Sequence, residues 1–307
     1  MAPASTSSSS SSSVLLVTGA SGPLGTSVVN HLLHTLRVEP SRIVAGTRDP
    51  EKLAHFADAG VTVRKVDFDL PETIASASAG ITRALLISTS GAVNRLGQHK
   101  AAIDAFAAAG VQHILYTSLP EICTQGPAGF VVEHEETEKM LQRSAVPGYT
   151  ILRNGLYFEL NVPSLRDALR TGVWQSATGD GKAAFIARDD LGLADAVALA
   201  NNDSNGRYVY TLTGSEALSI AKVVDQCNTS FGTTFTPQPN IPEHDRAQQL
   251  MRFGVQAAIA HGLAKFETNI KDGYGAQVTD DFKKLTGSEP RTLETWFKAE
   301  KNTLLTL

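Results

Sequence analysis

Three glycines at three-residue intervals are the strongest chemical signal in the sequence. Gly19, Gly22 and Gly25 lie in the run TGASGPLG, between an apolar stretch typical of a buried strand and a pattern typical of an amphipathic helix. Gly19 lets the chain turn sharply, Gly22 lets the backbone approach a pyrophosphate, and Gly25 lets the helix pack closely on the sheet. Unpaired N–H groups at the start of the helix then attract phosphate. The pattern predicts a nucleotide site whose phosphate-binding turn comprises Gly19, Ala20, Ser21, Gly22, Pro23, Leu24 and Gly25.

The end of the second predicted strand indicates which dinucleotide binds. The strand runs into Thr47, Arg48 and Asp49, and Lys52 follows one helical turn later. An NAD site usually has an acid here for the ribose hydroxyls, whereas a guanidinium would bind a 2′-phosphate through two hydrogen bonds. We therefore expect NADPH as the cofactor, with Arg48 and Lys52 at its 2′-phosphate. The alternative is that Asp49 binds the ribose and Arg48 is a solvated loop residue.

Polar residues also follow the next two predicted strands. Asp67 and Phe68 end the third strand, where they would touch the adenine or, alternatively, cap the strand end. Ser88, Thr89 and Ser90 follow the fourth strand and offer hydroxyls close to the path of the cofactor, with a plain polar turn as the alternative.

A parallel sheet would bring these residues to one edge. Strands and helices alternate as far as residue 157, with strands predicted at residues 14–17, 42–47, 61–66, 84–87, 113–117 and 149–152, and helices at 22–36, 51–59, 94–109 and 131–143. We predict an α/β fold: a disordered serine-rich tail over residues 1–13 and a Rossmann-type, doubly wound parallel sheet over 14–157. Residues 158–307 would form a smaller α+β substrate-side lobe, part of which returns to the sheet.

The composition excludes several functional classes. The 307 residues are 42% hydrophobic and 19% charged with a net charge of −4, so no basic face for nucleic acid is expected. No apolar run reaches about 18 residues, so no membrane span is predicted. The two cysteines, Cys123 and Cys227, suit neither a disulfide framework nor a zinc site, which favours a cytoplasmic protein without a structural metal. A homodimer is compatible with these features.

Six longer runs resemble the NmrA-like branch of the atypical short-chain dehydrogenases, and within it the quinone reductase and triphenylmethane reductase types. These runs are TGASGPLG, AGTRDPEK, ILYTSL, HEETEKML, YTILRNGLY and LTGSEPRTLETWFK. The resemblance implies direct hydride transfer from NADPH to a quinone or similar conjugated aromatic acceptor, without flavin or metal. It also implies that the nicotinamide end of the cofactor is bordered by Asn154, Gly155, Tyr157 and Glu159, and that Lys139 binds a ribose of the cofactor.

The acceptor cleft is expected beside that ring. The resemblance puts Gln98 and His99 at the cleft, and the segment after Tyr157 would add Phe158, Leu160 and Asn161. Leu160 stands where the quinone reductase type carries an asparagine, so this rim is more apolar and a bulky aromatic acceptor is expected.

No Tyr-x-x-x-Lys motif occurs in the sequence. Lys139 is present, but Glu135 and not a tyrosine stands four residues before it. This absence argues against an ordinary alcohol dehydrogenase and favours a mechanism that mainly positions two π-systems. The catalytic candidates are Lys139, His99 and Tyr157. Lys139 is alternatively a ribose ligand or a solvated residue, and Tyr157 alternatively only stacks on the nicotinamide.

Further expectations concern three single residues and two acidic pairs. His134 is expected on the surface of its helix, with proton donation as the alternative, and Trp174 and Trp296 are expected to pack in the interior. The acidic pairs at residues 189–190 and 280–281 are expected to be helix N-caps. Two other functions stay open: an NADP(H)-binding redox sensor without turnover, and a tailoring reductase of secondary metabolism that acts on a ketone or quinone.

Overall fold

The computed structural model describes residues 13–89, 94–120 and 129–305. Ser90, Cys123 and almost all of the serine-rich tail lie outside these residues, so the expectations for them are not addressed by the structure. Within the described part, no helix combines the length and the apolar character needed to cross a membrane.

A seven-stranded sheet forms the centre of the molecule, and every strand pair in it is parallel. The spatial order is β3-β2-β1-β4-β5-β6-β9. The strands are β1 (Leu15–Val17), β2 (Ile43–Thr47), β3 (Thr62–Lys65), β4 (Arg83–Leu86), β5 (His113–Ser118), β6 (Gly148–Asn154) and β9 (Arg207–Leu212). The α/β Rossmann-type fold is confirmed, and all six strands predicted in the first half are present. β9 comes from the second half of the chain and pairs with β6.

Helices cover both faces of this sheet. On one face, α1 (Pro23–Asn30) continues into a π-helical turn (His31–Thr35) and packs against α7 (Arg188–Ala200). Leu24, Val28 and Val29 of α1 meet the odd-numbered side chains of β1 in this core, as the amphipathic pattern predicts. On the other face lie α3 (Pro71–Ala77), α4 (Arg95–Ala108) and α5 (Gly129–Arg143), over the side chain of Leu16. A short helix, α2 (Ala54–Asp58), follows the 3-10 turn Pro50–Leu53.

The second half adds a group of helices with two small sheets. Its helices are α6 (Val162–Thr171), α8 (Ile220–Phe231), α9 (Glu243–Arg252), α10 (Ala257–Lys271), α11 (Asp281–Thr286) and α12 (Leu293–Leu305). β7 (Val173–Gln175) pairs with β11 (Thr236–Gln238), and β8 (Lys182–Ala183) pairs with β10 (Leu218–Ser219). Trp174 and Trp296 are buried in a separate hydrophobic cluster here, as expected. β8 is only two residues long, because the residues that follow it bond to neighbouring loops instead.

The N-cap expectation for the acidic pairs is largely wrong. Ala187 is the N-cap of α7, so Asp189 and Asp190 lie inside its first turn, where both form ion pairs with Arg291. Asp280 does stand at the N-cap of α11, but its carboxylate makes no cap hydrogen bond and pairs with a lysine one turn later. Ion pairing therefore takes precedence over capping at both places, across the fold at α7 and within the helix at α11.

A buried arginine ties the end of α7 to the sheet. Arg83 is 1% exposed, and its guanidinium donates to the carbonyl oxygens of Leu199 at 2.9 Å, Asp203 at 2.6 Å and Ala198 at 3.1 Å. These carbonyls belong to or follow the last turn of α7, where the helix itself provides no donors. We expect Arg83→Met to destabilise the fold by about 2–4 kcal/mol, because three buried carbonyls lose their donors. Urea unfolding measures this, with the exposed Lys100→Met as the control; equal stability of both variants would contradict the assignment.

Candidate active site

The glycine turn is shaped by one very close approach. Gly19 adopts the left-handed conformation with φ at +61°, and the N–H of Gly22 donates to its carbonyl at 2.9 Å. A Cβ on Gly25 would overlap the carbonyl oxygen of Gly19 and lie 2.7 Å from the Cα of Ala20. A residue with a side chain at position 25 would therefore push α1 away from the end of β1.

Hydrogen bonds tie this turn to the neighbouring strands. The N–H of Ala20 donates to the carbonyl of Gly46 in β2 at 2.9 Å, and the hydroxyls of Ser21 and Thr47 are 2.8 Å apart. Gly22 is the N-cap of α1, no side chain caps the helix, and its first turn contains no acid. The first N–H groups of α1 therefore point out from the strand ends and can receive an anion.

The end of β2 carries the predicted cations. Arg48 is exposed and forms no ion pair with any residue that the structure describes. Lys52 is paired with Asp49 at 3.5 Å, and the N–H of Asp49 donates to the Thr47 hydroxyl. The carboxylate of Asp49 is thus partly neutralised, whereas the Arg48 guanidinium is available to a ligand.

The residues after β3 serve the local turn. The Asp67 carboxylate accepts from the N–H of Asp69 at 3.1 Å, which matches the strand-end cap considered as the alternative. Phe68 is half-buried against the hydrophobic cluster beneath α3 and α4. The Gln98 amide donates to Asp69 at 2.7 Å, so this glutamine faces the β3 turn.

His99 does not lie at the cleft as expected. It is fully buried, and its Nε2 accepts from the N–H of Thr89 at 3.2 Å. Its Nδ1 is 3.0 Å from the hydroxyl of Thr137, which itself donates to the carbonyl of Glu133. The Thr137 oxygen can therefore only accept, so the proton of His99 lies on Nδ1. Burial, followed by the charge of Arg95, lowers the pKa of His99 to about 3, so the neutral ring anchors the loop after β4.

That loop, with Ser88 and Thr89, is held from two sides. The N–H of Ser88 donates to the Thr117 hydroxyl of β5 at 2.9 Å, while His99 holds Thr89. The hydroxyl oxygen of Thr89 is buried and has no partner among the described residues. This loop is fixed at the carboxyl end of β4, next to the glycine turn of β1 in the sheet.

A buried polar face on α5 was not predicted. His134 is 7% exposed and its Nδ1 lies 2.7 Å from the Tyr116 hydroxyl, so the expected surface position is wrong. Burial lowers the pKa of His134 to about 3, so at neutral pH its ring is not the imidazolium that a general acid requires. Farther along α5, Glu138 accepts from the hydroxyl of Ser118 and from the guanidinium of Arg153. Because most neighbouring residues in the sequence are charged, the sequence did not indicate that this face of α5 is buried.

Lys139 lies on the opposite, exposed side of α5. Its ammonium donates to Glu136 at 2.7 Å, one turn earlier on the same side, and this bond raises the pKa of Lys139. The helix directs Thr137 and Glu138 inward and Lys139 toward solvent. This placement matches the alternative that Lys139 is a solvated residue.

The end of β6 brings together the residues expected at the nicotinamide. Asn154 is buried, and a Cβ on Gly155 would lie 2.7 Å from the Leu212 carbonyl oxygen, so the chain here passes directly against the end of β9. Tyr157 is half-buried, with the Arg188 guanidinium 5.1 Å from its ring centre. Burial and the nearby Asp195 charge raise the pKa of Tyr157 to about 12, so the phenol is protonated at neutral pH. Glu159 accepts from the N–H of Arg188 and so caps α7.

The rim after Tyr157 differs from the expectation at one position. Phe158 is 2% exposed and packs on Trp296, with ring centres 5.4 Å apart, so it belongs to the core and cannot line the cleft. Leu160 and Asn161 do line a cavity, together with Leu156, Ser164, Trp174 and Phe185. Its volume is ≈ 30 Å³, enough for one water-sized molecule. This cavity is therefore too small to hold an aromatic ring.

Comparison with known proteins defines the family. The NmrA-like family profile matches residues 11–297. This chain belongs to the NmrA-like family.

One curated sequence and two crystal structures show how far the likeness extends. The chain is 37% identical over 280 residues to "Quinone oxidoreductase 2" of Escherichia coli K12, covering 91% of this chain and 96% of that one. The crystal structure of the E. coli NADPH-dependent quinone oxidoreductase with NADPH matches with a TM-score of 0.84 at 35% identity, covering 95% and 100%. The Citrobacter sp. triphenylmethane reductase with NADP(H) matches with a TM-score of 0.83 at 30% identity, covering 93% and 99%.

The neutral state of His99 has a measurable consequence at low pH. A histidine whose folded pKa lies below its ordinary value stabilises the fold above that value and loses this contribution as the pH falls. His99→Gln cannot titrate, so the unfolding constant of the wild type relative to the variant should rise up to about tenfold per pH unit from about pH 6 to pH 4. Urea unfolding across this range tests the prediction, with the exposed His261→Gln as the control. A constant ratio would mean that His99 is not held neutral.

Proposed function

We propose that this chain is an NADPH-dependent reductase that transfers a hydride to a quinone or a similar conjugated aromatic acceptor. The observation that carries the proposal is the meeting of the glycine turn, Arg48 and the β6 end at one edge of the sheet. It is supported by 37% identity to a named quinone oxidoreductase over 91% of the chain. Bound NADPH supplies the hydride from its reduced nicotinamide ring, and the chain binds and orients the two reactants.

The residues at this edge suit an extended dinucleotide. The uncapped start of α1 would receive the pyrophosphate, and Arg48 the 2′-phosphate, with Lys52 adding positive charge. Ser88 and Thr89 follow β4, which lies beside β1 and on the way to β6. Asn154, Gly155 and Tyr157 would then border the nicotinamide, on the far side of β1 from the 2′-phosphate.

The chain's part in the reaction is mainly to position the reactants. Tyr157 keeps its proton at neutral pH and can donate a hydrogen bond to an acceptor oxygen on which negative charge develops. We assign no proton-donor role to His99 or His134, because burial lowers the pKa of both rings and leaves them neutral at pH 7. The proton that completes the reduction comes from solvent or from a group at the cleft. The cavity beside Leu160 is too small for an aromatic ring, so a flat or bulky acceptor would bind at the open strand ends or displace this rim.

Arg48 should determine the choice between the two nicotinamide cofactors. Arg48→Ala is expected to weaken NADPH binding by about 1.5–3 kcal/mol, the size of a charged hydrogen bond, and to leave NADH nearly unchanged. Calorimetric titration of both cofactors measures the difference, with the exposed Arg166→Ala as a charge-matched control. If both cofactors weaken equally, Arg48 is not the ligand of the 2′-phosphate.

Turnover is tested by mixing the purified protein with NADPH and a panel of benzoquinones, naphthoquinones and triphenylmethane dyes. We expect protein-dependent loss of the reduced-nicotinamide absorbance, faster with NADPH than with NADH, because the site has a cation where NAD sites carry an acid. Saturable NADPH binding without turnover of any acceptor would count against the reductase and favour the redox sensor.

A further inference from the structure

Asp195 is a buried carboxyl group without a partner. It lies in the middle of α7 with 0% exposure, and neither of its oxygens has a hydrogen-bond partner among the described residues. An isolated carboxylate in such a place is unfavourable by far more than a neutral polar group, so the usual outcome is that the group keeps its proton.

Asn154, at the end of β6, is a second buried polar group of this kind. It is 2% exposed, and both its Oδ1 and its Nδ2 lack partners in the described part of the chain. It is the last residue of β6 and is followed by Gly155 and Tyr157, the segment that would border the nicotinamide. Its amide lowers the pKa of both Asp195 and Tyr157, so it lies beside both, although neither pair meets hydrogen-bond geometry as placed.

The four atoms without partners are chemically complementary in one protonation state. A neutral carboxylic acid has one donor and one acceptor, and a primary amide offers one acceptor and a donor to match them. Protonated Asp195 can therefore give a hydrogen bond to Oδ1 of Asn154 and accept one from its Nδ2. An ionised Asp195 keeps only the second bond, and its other oxygen would face the Asn154 oxygen.

Among the residues that the structure describes, no cation forms an ion pair with Asp195. Burial raises the pKa of its carboxyl to about 8, with Asn154 acting in the opposite direction. Tyr157 is the titratable group whose pKa responds to Asp195, and Arg188 faces the Tyr157 ring. Charged groups on the elements packed against α7 are engaged elsewhere: His31 with Asp189, Arg83 with the last carbonyls of α7, Arg153 with Glu138, Lys283 with Glu289, and Lys284 with Asp280 and Asp281.

We propose that Asp195 is a positioning residue that, in its protonated form, pairs with the Asn154 amide through two hydrogen bonds and so fixes the end of β6. This inference deepens the proposed function, because that end carries Gly155 and Tyr157 to the nicotinamide. Loss of the proton removes one bond and leaves a negative charge beside Tyr157. The pair therefore keeps the site in order up to about neutral pH and releases it in alkaline solution.

The variant Asp195→Asn keeps the two hydrogen bonds to Asn154 but removes the titratable proton. An asparagine has the same shape and can still exchange two hydrogen bonds with Asn154, but it has no proton to lose. An acid whose folded pKa is raised contributes stability below its ordinary value, and that contribution is lost as the pH rises through the folded pKa. The unfolding constant of the wild type relative to Asp195→Asn should therefore rise about tenfold per pH unit from about pH 5 to pH 7, and level off above about pH 9.

This measurement of stability does not depend on turnover, so its result tests the Asp195–Asn154 pair whatever the outcome of the quinone assay. Urea unfolding at each pH provides the ratio, with the exposed Asp180→Asn as the matched control. A ratio that does not change with pH would overturn the proposal. If Asp195→Asn does not fold, infrared difference spectra of the wild type replace it: a protonated-carboxyl band that is lost between about pH 6 and pH 9 supports the proposal, and its absence overturns it.

The activity arm tests the positioning role. We expect kcat/KM for NADPH in the wild type to fall as the pH rises through about 8, and this decline to be absent in Asp195→Asn, which keeps wild-type activity at neutral pH. Asp195→Ala should lose activity at every pH because the amide has no partner. A folded Asp195→Asn that is as inactive as Asp195→Ala would overturn positioning and point to proton donation by Asp195.

Discussion

The site depends on the contact between the first turn of α1 and the end of β1. Gly25 has no room for a Cβ, because the Gly19 carbonyl and the Ala20 backbone occupy that space. The contact directs the uncapped start of α1 at the strand ends, and the bond from Ala20 to Gly46 joins the turn to β2. The position of Arg48 follows, since it comes two residues after Gly46. One steric constraint thus sets both the phosphate-binding turn and the cation beside it.

The rest of the site is ordered by buried polar groups that are neutral at pH 7. On the α4 and α5 side, His99 holds the Thr89 loop through a single tautomer. On the α7 side, Asp195 and Asn154 meet at the end of β6. Burial shifts the pKa of the histidine down and that of the acid up, so both lose charge for the same reason. Neutral groups can fix loops in the interior without the cost of buried charge, while Arg48 stays in water to meet a ligand.

The sequence predicted the sheet well because each strand is a short apolar run next to a turn signal, and it predicted the glycine turn because its spacing reflects a backbone requirement. It failed where side-chain direction decides. His99 and Phe158 point inward, which neither residue type nor family position reveals. α3 and α10 were missed: α3 is only seven residues long, and α10 lies in the half of the chain where periodicity loosens. Asp195 was overlooked because an aspartate in an alanine-rich helix usually faces solvent.

The most direct test of this account is a calorimetric titration of Gly22→Ala with NADPH. The backbone at Gly22 is extended, with φ at −81°, and a Cβ there meets only the Gly19 carbonyl oxygen, at 3.3 Å. The variant should therefore fold, yet its methyl group stands where the pyrophosphate must approach. We predict that NADPH affinity falls by at least about tenfold, the equivalent of one lost hydrogen bond to a charged group. Unchanged affinity in a folded variant would show that the dinucleotide does not bind against this turn, and would contradict the account.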